Sequence, residues 1–157
     1  LTQSKANPMI KKILSCFAVL LVAGATVVAG DVDLEGVKCV VAPKAATEGK
    51  SADYKDGKVY FCCGGCAGKF ASDTKKFSTK ANHQLVATKQ YEQKGCPMSG
   101  REVNPETTST VAGTKVAFCC EGCKGSVDKA EGDEAKMKLV FADKAFAKAF
   151  KKTKKAE

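Results

Sequence analysis

The hydrophobic pattern of the chain falls into two regimes. The first is a single apolar run over residues 13–30, interrupted only by Ser15, Cys16 and Thr26. It follows a short basic start, Met9-Ile10-Lys11-Lys12, and closes on the small residues Val27-Val28-Ala29-Gly30 before Asp31. A basic n-region, an apolar h-region and a small-residue exit are the pattern of a secretory signal peptide, here residues 1–30. The run is also near the lower length limit for a membrane span, so an uncleaved anchor is the alternative; the small residues at its end favour cleavage. The stretch before Met9 reads either as a longer n-region or as an over-long reading of the gene. Most of the apolar run follows Cys16 and little precedes it, which suits a filler residue better than a lipid anchor.

Beyond residue 30 the apolar positions come in short groups. Asp56-Gly57 is a hairpin-turn signal ahead of the strand-like Lys58-Val59-Tyr60-Phe61, and residues 111–118 repeat the pattern with Ala112-Gly113-Thr114 at the turn. A short helix is predicted to begin near Cys66, with Phe70, Ala71 and Phe77 on one apolar face. The equivalent stretch further on has only Val127 and Ala130, a weaker helix pattern. Leu85-Val86 and Leu139-Val140 answer each other as late elements. Phe141, Ala145, Phe146, Ala149 and Phe150 predict a C-terminal amphipathic helix that packs on its own domain. Asn104-Pro105-Glu106 with residues 107–110 reads as a polar loop, and residues 87–95 as a short connection.

These groups belong to an internal repeat. Cys39 is followed after twenty-two residues by Phe61-Cys62-Cys63-Gly64-Gly65-Cys66; Cys96 is followed after twenty-two by Phe118-Cys119-Cys120-Glu121-Gly122-Cys123. The offset is 57 throughout, and Lys58-Val59 answers Lys115-Val116. It shortens to 54 at Leu139-Val140. All eight cysteines beyond residue 30 lie in the repeat, four per copy, a far stronger signal than a lone CxxC. The predicted fold is therefore small α+β, two tandem modules of a hairpin followed by a short helix, over residues 31–92 and 93–157. Each is near the size at which an apolar core alone is marginal, and such modules commonly need a metal or disulfides.

A hairpin that delivers cysteines to a helix start is suited to metal binding. Free N–H groups and the positive end of the helix dipole favour thiolate, the form that ligates. Cys63-x2-Cys66 and Cys120-x2-Cys123 have zinc-knuckle spacing, and Cys39 and Cys96 come from distant loops to close each site. Thiolates suit Zn(II), Cu(I) and softer toxic ions, and suit Ca(II) or Mg(II) poorly. The candidate ligands are Cys39, Cys62, Cys63 and Cys66, and Cys96, Cys119, Cys120 and Cys123. Adjacent strand residues face opposite ways, so Cys62 and Cys63 can share one ion only if the strand ends at Phe61. Three or four thiolates per site both remain open. His83 has no histidine counterpart in the other copy and reads as a surface residue. Met98 reads as packing, with a thioether beside Cys96 as the alternative.

Cys96-Pro97-Met98-Ser99-Gly100, Val103-Asn104-Pro105-Glu106 and residues 115–123 resemble the YHS domain, one of the TRASH-type domains associated with trafficking, resistance and sensing of heavy metals. The first copy resembles it through Cys39, residues 59–66 and Phe70-Ala71-Ser72-Asp73, with Val40-Val41-Ala42-Pro43 in place of the Pro-Met-Ser-Gly segment. The likeness spans most of residues 36–78 and 93–128. It implies a treble-clef-like zinc-finger fold, handling of copper or other heavy metals, and frequent attachment to larger transport proteins. Its core ligand pattern falls on Cys39, Cys62 and Cys66 and on Cys96, Cys119 and Cys123, with Cys63 and Cys120 as additional thiols.

The formal charge of +9 falls to +6 without residues 1–30, which carry Lys5, Lys11 and Lys12 and no acid. That excess is spread out, apart from the tail Lys151-Lys152-Thr153-Lys154-Lys155, which reads as solvated and mobile. A single arginine, Arg101, and an export signal speak against nucleic acid. Export also makes a disulfide scaffold a serious rival, and a module held together by structural zinc for binding another protein is a further alternative. The paired Cys-Cys-x2-Cys clusters weigh the other way, because each module offers them only one distant partner. A thiol–disulfide oxidoreductase lacks the βαβ framework it needs. The expectation is a non-enzymatic, periplasmic or otherwise extracytoplasmic protein binding Zn(II) or Cu(I). Its expected partners are metal ions and a metal transporter or another exported protein, with membrane contact only through an uncleaved signal segment.

Overall fold

The computed structural model describes residues 32–154. The signal-peptide assignment and Cys16 lie outside the described residues. Among those described, no helix is long and apolar enough to cross a membrane.

Two antiparallel hairpins carry the repeat. Strands β1 (Thr47–Tyr54) and β2 (Gly57–Phe61) form the first, β4 (Asn104–Val111) and β5 (Thr114–Phe118) the second. The polar segment 104–110 is thus a strand rather than a loop. Its threonines are β-branched, and Thr107 and Val111 turn inward, which is enough to hold it against β5. Both outer strands break register at the same place in the repeat, between Thr47 and Ser51 and between Asn104 and Thr108. The second turn falls on Ala112-Gly113, at φ 48° and 83°, a conformation glycine adopts freely. The first falls on Lys55-Asp56, one residue earlier than the Asp56-Gly57 signal suggested. Gly57 belongs to the strand, where a Cβ would stand 2.7 Å from Gln90 Oε1 and 2.8 Å from Leu85 Cδ2. Close approach, not the turn, requires that glycine.

Each hairpin runs into a helix. In the first copy α1 (Gly64–Ser72) begins two residues before Cys66, and α2 (Thr74–Ala87) follows after Asp73, whose carboxylate accepts from Lys76 N at 3.1 Å. In the second copy α3 (Glu121–Asp128), α4 (Gly132–Phe141) and α5 (Asp143–Ala149) follow in turn. Phe70 and Val127, 57 residues apart, are both buried, so the weakly patterned helix packs at the same point as the strong one. Leu85-Val86 and Leu139-Val140 lie in α2 and α4, which pack against each other. The expected continuous C-terminal helix is instead divided. Ala142 (ψ 150°) and Phe150 (ψ 138°) are both non-helical, and β6 (Phe150–Lys152) pairs antiparallel with β3 (Tyr91–Gln93) in the connection between copies. Lys151 and Lys152 are therefore held in a strand rather than in a mobile tail.

The described residues, 32–154, belong to one compact unit. Val59, Phe61, Phe70 and Leu85 of the first copy join Val111, Val116, Phe118, Val127 and Phe141 of the second in one buried cluster. Neither half is long enough to bury much apolar surface alone, and pooling it is the economical solution. A polar tie crosses the same region. The wholly buried Asn82 side chain accepts from Tyr54 Oη at 3.1 Å and donates to Phe141 O at 2.9 Å and Asp143 Oδ1 at 3.0 Å.

Candidate metal centres

In both copies the sheet stops where the cysteines begin. Phe61 and Phe118 are the last strand residues, and Cys63 and Cys120 take the N-cap position of the following helix, at φ −160°, ψ 164° and φ −162°, ψ 164°. The strand break that the Cys-Cys pairs needed is present. Cys62 and Cys66 bring their sulphurs to 3.6 Å, and Cys119 and Cys123 do the same at 3.6 Å.

The third sulphur of each set arrives from a loop. Cys39 N donates to Lys44 O (2.7 Å) and Cys96 N to Arg101 O (2.8 Å), which folds each loop back on itself. Cys39, Cys62 and Cys66 then have all their sulphurs within 4.8 Å of one another, as do Cys96, Cys119 and Cys123. Tetrahedral thiolate sites with Zn–S bonds of about 2.3 Å place their sulphurs about 3.8 Å apart, so either triangle is of the right size. Cys63 and Cys120 stand outside the triangles, exposed, with their sulphurs 4.0 and 3.8 Å from Cys62 Sγ and Cys119 Sγ. All eight of these cysteines are free thiols.

Two glutamines that the motif reading passed over assemble these triangles. Gln84, on α2, has its Oε1 accept from Tyr60 N (2.6 Å) while its Nε2 donates to Tyr60 O (3.0 Å) and Lys38 O (2.9 Å). Gln93, on β3, has its Oε1 accept from Ala117 N (2.9 Å) while its Nε2 donates to Ala117 O (2.6 Å) and Gly95 O (2.9 Å). Tyr60 and Ala117 are repeat equivalents, and so are Lys38 and Gly95. Each amide thus ties the strand before the cysteine pair to the residue before the distant cysteine. The two glutamines are nine residues apart and occupy unrelated places in the repeat, so no sequence comparison of the copies would have found them.

Crowding decides the ionisation of the thiols. Burial pushes the Cys96 thiol up, but N–H donors from Cys119, Ser99 and Met98 and the Ser99 hydroxyl outweigh it and bring it down to about 6. Cys39 is also lowered, against the effect of burial, by N–H groups of Ala42, Cys62 and Val41. Cys66 is pushed up to about 12, by its hydrogen bond to Cys63 first and by burial next. Cys123 is pushed up to about 12 by burial and then by Cys119, Cys120 and Cys96. One anion per triangle is therefore tolerated and a second is opposed, the state of a thiol cluster that lacks a cation.

His83 is not among the converging atoms, nor is it a surface residue. Its Nε2 is 2.9 Å from Thr114 Oγ1, its ring meets the Phe141 edge at 5.0 Å between centroids, and burial lowers its pKa. Met98 is half-buried against the core, in a packing role.

The fold and site together define a class: a small α+β protein whose two three-cysteine clusters can each hold a metal ion. No family model matches the chain, and comparison with curated proteins and with solved structures gives no match either.

Proposed function

We propose that this protein is an exported, non-enzymatic metal-binding protein of YHS/TRASH type, which carries one thiophilic ion, Zn(II) or Cu(I), in each of two thiolate sites for trafficking, buffering or resistance. The observation that carries this reading is the duplicated triangle. Two cysteine triads of the same geometry are built at equivalent places, although the glutamines that hold them and the helices that follow them differ. Soft sulphur donors select late first-row ions over Ca(II) and Mg(II). A metal also suits a 3.6 Å sulphur separation, too long for a covalent S–S bond of about 2.05 Å. The YHS likeness adds trafficking to binding, and the apolar leader adds export.

The test is native mass spectrometry of the protein isolated without added reductant, with thiol alkylation in parallel. Two bound zinc or copper ions, and thiols that react fully only after chelation, are the expected result. A metal-free mass with no alkylatable thiol would establish the disulfide scaffold instead.

A further inference from the structure

We propose that Cys63 and Cys120 are the exchange ligands of the two centres: surface thiolates that receive an incoming ion and pass it to the triad, and that take it from the triad when a thiol-bearing acceptor removes it. This rests on the metal-binding reading above.

The argument begins with burial. Within each copy the four sulphurs are graded from interior to solvent. Cys39 and Cys96 are buried, Cys62 and Cys119 half-buried, and only Cys63 and Cys120 exposed. An exposed cysteine contributes nothing to packing. Nor do these two act as caps, since an N-cap position favours Ser, Thr, Asp or Asn and neither thiol makes a side-chain capping bond. The backbone does the capping work, with Cys63 O accepting from Cys66 N at 3.2 Å and Cys120 O from Lys124 N at 3.2 Å. The thiols stay exposed beside the helix start, against the sulphurs of Cys62 and Cys119.

Position supplies the second line. Each exposed sulphur lies within about 4 Å of the triad sulphur of Cys62 or Cys119, and it also hydrogen-bonds to Cys66 or Cys123. With metal–sulphur bonds of about 2.3 Å, one ion can span that pair without backbone movement. Yet Cys63 and Cys120 stand outside the sets in which every sulphur is within 4.8 Å of every other, so they are not resident ligands of the closed triangles. The neighbouring glycines put no side chain against them. A Cβ at Gly65 or Gly122 would have Cys63 Sγ or Cys120 Sγ as its nearest contact, at 3.9 and 3.8 Å. The arrangement recurs at the same backbone angles in both copies, although the next residue is Gly64 in one and Glu121 in the other.

Exchange is then a ligand substitution with no change of oxidation state. Cys63 and Cys62 each release a proton to solvent on taking the incoming ion between them. As the ion moves inward, Cys66 and Cys39 bind it in place of Cys63; the Cys66 proton passes to Cys63, and Cys39 enters as the thiolate or gives its proton to solvent. The displaced ion leaves by the reverse route.

The test loads the full chain with Zn(II), adds excess Cd(II), and follows replacement by native mass spectrometry for the parent, Cys63→Ser, Cys120→Ser and the double variant. The expected result is that every variant still binds two zinc ions, while replacement slows by roughly tenfold, the loss of a tethered ligand's local concentration, at one site in each single variant and at both in the double. Alanine in place of serine should give the same rates. Unchanged replacement rates would overturn the proposal. So would faster zinc loss or a single bound ion in a variant, which would make these thiols resident fourth ligands. A parent that binds no zinc would instead sink the metal-binding reading itself.

Discussion

The two centres are the same in their first layer and different in the next. Both place three sulphurs in one triangle between hairpin end, helix start and loop. Around the second, Ser99 Oγ lies 3.2 Å from Cys119 Sγ and its hydroxyl helps to lower Cys96. The equivalent residue in the first centre is Ala42, which has no side-chain donor, so Cys39 is lowered mainly by backbone N–H groups, of Ala42, Cys62 and Val41, the last at 3.4 Å from its sulphur. A turn-and-helix frame reproduces the ligand set by backbone geometry, whereas the hydrogen bonds that tune each thiolate depend on side chains free to diverge. Duplication has thus given this protein two centres with one shape and two electrostatic settings.

The largest effect expected breaks the comparison outright. Cys39→Ala should remove one of two bound ions and Cys96→Ala the other, each leaving its counterpart filled in native mass spectra. Loss of both ions from one substitution would show that the centres are not independent in binding, despite their shared core.

The glutamine clamps come next. Gln84→Ala and Gln93→Ala each strand backbone groups of one strand and one ligand loop, at a cost of about 1–3 kcal/mol per buried group left unpaired. Urea unfolding should show a lower midpoint for both, and weakened metal binding only at the centre each clamp serves. Equal weakening at both centres would make the clamps general core residues.

The smallest effect concerns the electrostatic setting. In the metal-free protein Cys96 titrates near pH 6, well below an ordinary thiol at 9.0. A lowered folded pKa stabilises the fold in full above the unfolded value, and the contribution is lost as pH falls from about 9 through 6. Cys66 and Cys123, raised to about 12, act in the opposite sense and only above pH 9. Ser99→Ala should move the low thiolate step, read by ultraviolet absorbance, upward towards the ordinary thiol range. Ala42→Ser should move the Cys39 step down. An unmoved step in Ser99→Ala would assign the lowering of Cys96 to backbone donors alone.

Much of this was legible from residues alone, because it depends on local rules. The offset of 57, the β2 and β5 strands, the Ala112-Gly113 turn and the presence of helices after the cysteines follow from periodicity and turn chemistry. The eight thiols announced themselves by spacing. The polar strand β4 was hidden because its partner, not its own hydrophobicity, makes it a strand. The division of the C-terminal helix was hidden because β3 captures Phe150 as a strand from a distant part of the chain.

Sequence by itself determined which atoms are available for binding: four thiols per copy, at matched spacing, on a hairpin–helix frame. Tertiary structure alone decided how they are used. It merged two short copies into one core, since neither has the apolar area to stand apart. It selected three sulphurs of each four for the triangle, because the cap geometry at Cys63 and Cys120 leaves those thiols outside it. It also recruited Gln84 and Gln93 from non-equivalent positions to the same task, since a side-chain amide is placed by what surrounds it in space and not by its place in the repeat.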